Sequence, residues 1–331
     1  MRSIAVDLKK PESRLIVDRL MSWAEIIHHS MRPGAAERLG VDYENASALN
    51  PTVVYGWAPG WGASGPMMNR QSFAPLMSGY VGVAYEVAGQ FNDPLYPVGN
   101  EDPGNGLLGA FSMLLGVLQR RRSGEGQHLE HPQLNAAMAH TAHIVRQADG
   151  TALGAMRLDV VQLGFGPLER LYATNDGWIC IVATSDSEFK NLVKVLAPEI
   201  LDDPRFSSAI ARTDNADALG DAIAAAVTSW SSAALLAELQ AVDVAAAIPV
   251  PHNNTTFLRD PENLRTGRSA ESPHPTRGRV REVGVLVRSS HSVMAPHRIA
   301  PTLGEHTTEI LNTLGFDDLE IAALRSDHVV G

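Results

Sequence analysis

The sequence predicts an α/β fold divided between two domains, and three observations predict it. A β-branched run within Asn50–Gly56, bounded by Pro51 and Gly56, has the unbroken apolar texture of a strand buried on both faces, as strands of parallel sheets are. Helical spacings lie on either side of it, and helices alternating with strands make a parallel layer. After about Asp149 a glycine-rich connector leads to a hairpin signal, which marks a second, smaller unit. In chain order, Ser3–Val6 reads as a short strand stopped by charge and Pro11. Leu15, Leu20, Trp23 and Ile26-Ile27 recur at helical spacing, and His28–Ser30 leads to a turn at Arg32-Pro33-Gly34. A short helix is expected over Ala35–Leu39. The clearest helix runs from Gly104 to Arg122, where Leu107, Leu108, Phe111, Leu114, Leu115 and Leu118 form a wide apolar face. Asp102-Pro103 stands at its start, and Arg120–Arg122 with Gly124 at its end. A further helix covers Gln133–Gln147. Arg170–Thr174 and Trp178–Val182 flank the turn residues Asn175-Asp176-Gly177. Helices continue through Leu239, followed by a strand near Ala246–Val250. Pro261–Gly284, rich in Pro, Arg and Gly, reads as a loop or return linker, and Thr307–Leu324 is helical again.

The composition narrows the function classes. Of 331 residues, 44% are hydrophobic and 19% charged, which excludes a disordered, collagenous or coiled-coil chain. A net charge of −10 provides no broad cationic field, so no nucleic-acid partner is expected. The longest mostly apolar run, Gly106–Leu118, is too short to span a bilayer, and no membrane partner is expected. Cys180 is the only cysteine, which rules out an intramolecular disulfide and a cysteine zinc site and suits a reducing cytoplasm.

Four constellations carry possible chemistry. Gly60-Trp61-Gly62-Ala63-Ser64-Gly65 has the letters of a dinucleotide fingerprint, but Pro66 forces the preceding residue out of helical space, so no helix opens for a pyrophosphate. The loop reads instead as a place where backbone amides approach a ligand. His140 and His143 share a helical face without a nearby third ligand, which favours a partly buried structural pair over a metal site. Arg32 and Arg38, with Lys9, suit a phosphate-bearing ligand. Asp102 has two readings: a helix N-cap, or a carboxylate nucleophile at the positive end of a helix dipole.

Taken together, several short motifs resemble the family III CoA-transferases, the CaiB/BaiF-type family that includes α-methylacyl-CoA racemases. They are Val6-Asp7-Leu8-Lys9, Arg32-Pro33-Gly34, Arg38-Leu39-Gly40, and Asn50-Pro51 leading to Gly60–Pro66. Met77-Ser78-Gly79, Val98-Gly99 before Asp102, Gly106 and Arg122–Gln127 follow in the family's order, then Asp176-Gly177-Trp178, Asp203–Phe206 and Ala300–Thr307. The resemblance implies a Rossmann-like, CoA-binding large domain over residues 1–155, a smaller inserted α/β domain over 160–275, and a segment over 280–331 that rejoins the first. It implies a homodimer of interlocked rings. Asp102 falls on the catalytic aspartate. Val6, Leu8, Lys9, Ser30, Met31, Arg32 and Arg38 fall on CoA contacts, and Arg70, Gln71, Ser72 and Phe73 on the segment beside the thioester.

The implied activity is transfer of coenzyme A from an acyl-CoA to a carboxylic acid through aspartyl anhydride and aspartyl-CoA thioester intermediates. Acyl-CoA and the acid are the partners, CoA thioester is a substrate, and no cofactor is held permanently. Backbone amides of Gly60–Gly65 are candidate oxyanion donors. Three departures bear on this expectation. The sequence starts at what resembles the third strand of the Rossmann unit, so a preceding strand and helix of roughly 30 residues are missing from it. Arg70 and Gln71 stand where the racemase branch has a histidine and often an aspartate, which disfavours proton exchange at an α-carbon. Between Asp149 and Arg170 there is no glycine run like the lid of formyl-CoA transferases, so the acid expected is medium-sized or branched rather than oxalate or formate. The rival readings are a racemase and a catalytically weak CoA-binding partner subunit.

Overall fold

Two compact units make up the chain, one formed by residues 1–77, 99–140 and 254–331, the other by 78–98 and 141–253. The computed structural model describes residues 1–97, 99–251, 253–292 and 300–331. Val98, named above with Gly99, lies outside them. Residues 78–98, 141–155 and 254–275 group differently here from the ranges 1–155 and 160–275 expected on sequence.

The first unit opens with α1 (Ser13–Trp23), β1 (Ile26–His29), α2 (Ala35–Leu39), α3 (Tyr43–Leu49) and β2 (Val54–Trp57). It continues with α4 (Glu101–Ser123), β3 (Gln127–Glu130) and α5 (Gln133–His140). The strands lie in the order β1-β2-β3, all parallel, with Tyr55 level with Ile27 and His128. Central β2 overlaps the β-branched run read from sequence but is shifted along it: Thr52 and Val53 precede the strand, which passes through Gly56 to Trp57, and Val54, Tyr55 and Gly56 are buried in it. Because side chains alternate along a strand, Ile27, His29, Tyr55 and His128 share one face while His28, Gly56 and Leu129 share the other. Val17, Met21 and Ala46 of α1 and α3 pack on the first face with Val53 and Tyr55. Helix α4 covers the second, with Met113 over Gly56 and Gly116 against Val54 and Leu129.

Several expectations change here. Ile26-Ile27 are not helical: Ala24 turns the chain extended after α1, and the two isoleucines pair with Val54 and Tyr55. Ser3–Val6 is not a strand, since Val6 makes a single antiparallel bridge to Val330 and finds no longer partner. The wide leucine face of α4 is not its sheet-facing side. Gly109, Met113 and Gly116 are buried, whereas Leu107, Phe111, Leu114, Leu115 and Leu118 are 47–67% exposed. Small residues let the helix approach the sheet on that side, and the larger apolar side chains point away. Helix α5 ends at His140, short of Gln147.

In the second unit, β4 (Gly164–Gly166), β5 (Glu169–Ala173), β6 (Trp178–Val182) and β7 (Ala245–Ala247) form an antiparallel sheet in that order. The expected hairpin is β5-β6, closed by Thr174 N–H donating to the Gly177 carbonyl at 2.9 Å. Helices α6 (Asp186–Leu196), α7 (Ala216–Val227) and α8 (Ser232–Ala241) supply the core partners. Ile179 and Ile181 of the sheet and Leu192, Ile223 and Leu235 of these helices are fully buried in one cluster, each contributing about 1.5–3 kcal/mol. Ser185 and Glu188 form a capping box at the start of α6.

The returning chain is not a bare linker. Ser269–His274 (β8) and Gly278–Val283 (β9) form an antiparallel hairpin in which Glu271 pairs with both Arg279 and Arg281. Charge and proline on a two-stranded ribbon hide its strand character from a composition-based reading. The helical tail is two helices, α9 (Thr307–Thr313) and α10 (Asp318–Ser326). Leu311, Phe316, Ile321 and Val329 join Ile16 of α1 in a second cluster of the first unit. Among the described residues no single helix is long and apolar enough to cross a membrane.

Candidate active site

A cleft of about 370 Å³ lies beyond the carboxyl ends of β1, β2 and β3, where ligands of open α/β sheets bind. Its lining includes His28 within β1 and Ser30 just after it, Gly60 after β2, Ser72, then Asp102 and Asn105 on α4, and His131 and Gln133 after β3. Asp102 is the second residue of α4. It is exposed, and one carboxylate oxygen accepts a hydrogen bond from Gln133 Nε2. The N-cap reading is corrected: the cap position is Asn100, whose side chain makes no capping bond, and Asp102 stands inside the first turn. A carboxylate there is stabilised by the helix dipole while remaining open to a ligand. Glu101 beside it turns inward and is 1% exposed.

The glycine loop is anchored to the sheet, since Ala63 N–H donates to Glu130 Oε1 at 2.7 Å. That amide is engaged and is removed from the candidate oxyanion donors. Ser72 Oγ lies 2.0 Å from where a Cβ at Gly60 would stand, so only glycine admits this close approach.

Two histidines missed by the sequence reading occupy the same cleft. His28 Nε2 and His131 Nε2 are 2.8 Å apart, and His131 Nδ1 is 3.1 Å from Asn105 Oδ1. The ring centroids are 4.9 Å apart and the planes 10° from parallel, so the two imidazoles meet edge to edge through their Nε2 atoms. Asn105 Oδ1 can only accept, so the proton of neutral His131 sits on Nδ1, its Nε2 accepts from His28 Nε2–H, and His28 Nδ1 is left as an acceptor. Burial lowers the pKa of both imidazoles, and for His131 the neighbouring His28 lowers it further. Gly56 makes room for the pair: a Cβ there would stand 3.0 Å from His28 Cδ2. One at Gly109 of α4 would stand 2.7 Å from His131 Cε1.

A neighbouring pocket of about 280 Å³ lies on the other face of the sheet, lined by His29, Arg32, Glu37, Tyr43, Trp57 and His128 among others. Of the residues expected on sequence, Ser30, Ser72 and Asp102 meet at the cleft, and Arg32 lines this second pocket. Met31 ties the two strands, its carbonyl accepting from the Trp57 indole at 2.9 Å. Val6, Leu8, Lys9, Arg38, Arg70, Gln71 and Phe73 line neither cavity. Leu8, Lys9, Arg38, Arg70, Gln71 and Phe73 are exposed, and Val6 is half-buried against Val330. His140 and His143 are both exposed, not partly buried, and His143 Nε2 lies 3.5 Å from Glu86. Among the described residues no three His, Cys, Asp or Glu side chains are grouped to hold a metal ion.

Comparison with known proteins gives a concordant result. A family model described as CoA-transferase family III matches residues 1–307. The human succinyl-CoA:glutarate CoA-transferase is 26% identical over 99% of this chain and 75% of its own length. The succinyl-CoA–D-citramalate CoA-transferase of Chloroflexus aurantiacus is 26% identical over 99% of this chain and 82% of its own. Among solved structures, a CAIB/BAIF family protein from Brucella suis superposes with a TM-score of 0.76 at 24% identity, covering 95% of this chain and 81% of that one.

Proposed function

The chain belongs to CoA-transferase family III, and on that premise we propose that it moves coenzyme A from an acyl-CoA to a carboxylic acid with Asp102 as the nucleophile. The observation that supports this most is an exposed carboxylate in the first turn of α4, within a cleft that also holds Ser30, Ser72 and Gly60. The Asp102 carboxylate attacks the thioester carbonyl, the C–S bond breaks, and a mixed anhydride forms. The departing sulfur then attacks the aspartyl carbonyl, releasing the first acid and leaving an aspartyl-CoA thioester. The acceptor carboxylate attacks that thioester in turn, and CoA passes to it through a second anhydride. Each thioester is exchanged for another of similar energy, so CoA enters and leaves as a substrate and no resident cofactor is needed. Gln133 N–H donation to Asp102 holds the carboxylate in place between steps.

The acid in this reading is medium-sized or branched. The parallel order β1-β2-β3 supports a Rossmann-like large domain. The exposed leucine face of α4 supports an interlocked homodimer, because a second chain would cover it. Cys180, the only cysteine, suits a reducing cytoplasm. The test is thioester exchange across a panel of acids, with hydroxylamine trapping followed by mass spectrometry. Trapped label on Asp102, and loss of both label and transfer in Asp102→Ala, are the expected results. Transfer retained in Asp102→Ala overturns the reading, and deuterium entering the α-carbon without CoA exchange redirects it to racemisation.

A further inference from the structure

The reaction above moves carboxylates, which carry no proton to remove, yet the cleft holds an oriented pair of imidazoles. Asn105 fixes His131, and His131 fixes His28, with 3.1 and 2.8 Å separations. The rings stand in space left by two glycines on different elements, Gly56 of β2 and Gly109 of α4, so the fold is built around them. An orienting amide, an intermediate imidazole and a terminal imidazole form a base with its own positioning group. In acyl transfer such a base serves a nucleophile that bears a proton. In this cleft the available one is the thiol of coenzyme A.

We propose that His28 is the acid–base partner of the CoA sulfur, and that the protein therefore also exchanges free CoA into acyl-CoA without any acceptor acid. This rests on the reading that Asp102 carries the acyl group. As the thiol sulfur attacks the acyl carbonyl of the anhydride, the S–C bond forms, the S–H proton passes to His28 Nδ1, and the bond to the Asp102 oxygen breaks with its electron pair returning to the carboxylate. In the opposite direction Asp102 displaces sulfur, which leaves with the proton from His28. His131 accepts from His28 Nε2–H throughout and spreads the imidazolium charge, which Asn105 steadies at the far end. His131 and Asn105 are positioning residues.

The experiment incubates the full-length protein with acyl-CoA and radiolabelled free CoA, with no acid added, and follows label into acyl-CoA. Wild type exchanges label. His28→Gln slows exchange by about 10²-fold, the usual contribution of a positioned acid–base group. The hydroxylamine-trapped adduct on Asp102 still reaches its full end-point amount, because a lost proton carrier slows both directions alike. Added imidazole restores exchange in His28→Ala, which a purely structural histidine would not allow. Unchanged exchange in His28→Gln, or a His28→Ala enzyme that traps label on Asp102 yet gains nothing from imidazole, overturns the proposal. So does a wild type that transfers CoA to acids but exchanges no free CoA. Exchange that survives Asp102→Ala strikes instead at the reading of Asp102 on which this one rests.

Discussion

Gly56 is the position where a single methyl group tests both packing and site. In Gly56→Ala the new Cβ would stand 2.4 Å from Met113 Cε, 2.7 Å from its sulfur and 3.0 Å from His28 Cδ2. Carbon contacts sit at about 3.5–4.0 Å, so the Met113 tip must retreat by roughly 1 Å or more within a helix–sheet interface where it is 7% exposed. Overpacking of this kind costs about 1–3 kcal/mol. Against it, alanine restricts the unfolded chain and returns about 0.4–1 kcal/mol, since the backbone at this position is not left-handed. The net expectation is a loss of about 1–2 kcal/mol, or a fall in Tm of roughly 3–6 °C. His28 is pushed from beneath at the same time, so free-CoA exchange falls more than stability alone would dictate. Thermal and urea unfolding read the first effect and label exchange the second. Shortening the clashing partner relieves the strain: Gly56→Ala with Met113→Ala loses less than the sum of the single variants by about 1 kcal/mol. A Gly56→Ala protein with wild-type midpoint and exchange, together with strict additivity in the double variant, would refute the packing described here.

Acid destabilises the first unit through its histidines. Burial holds the folded pKa values of His28, His29 and His131 below 6.5, so the unfolded chain binds more protons and stability falls as pH drops below about 6.5. His28→Gln should flatten that slope in urea midpoints taken from pH 7 to 5. Ser185→Ala removes half of a capping box and should cost about 1 kcal/mol, read by the same unfolding assay, with transfer kinetics unchanged. Ile223→Ala, at a fully buried position, should cost about 2–5 kcal/mol. Leu114→Glu, on the exposed face of α4, should leave the far-UV spectrum intact and shift the mass measured by light scattering from dimer to monomer; a dimer that persists removes that face from the proposed interface.

What could be read in advance was local. The β-branched run leading into β2, the long α4, the β5-β6 hairpin and the helical tail each announce themselves by spacing and flanking breakers within about 20 residues, although the break that divides the tail into α9 and α10 was not read. Ile26-Ile27 failed because their distance from Leu20 and Trp23 fits a helix, and only the partner strand at Val54-Tyr55 makes them a strand. The leucine face of α4 was found, but not where it points, because periodicity reveals an apolar stripe and not what covers it. Asp102 was singled out as a candidate through its place at the start of a long helix in a family-like order of motifs, and the structure sets it in the first turn of α4 at the cleft. The histidine pair carried no such signal: His28 and His131 are 103 residues apart and meet only through the sheet, and the glycines that house them look like any others in the chain.

The first unit is sewn from segments on both sides of the second. Ile16 of α1 finds Leu311, Phe316 and Ile321 only after the whole of the second unit has been made. Residues Tyr172 to Val244, by contrast, hold a complete apolar cluster of their own. As the chain emerges from the ribosome, then, residues Tyr172 to Val244 can bury their own apolar side chains while Ile16 stays uncovered until the later helices arrive to close over it.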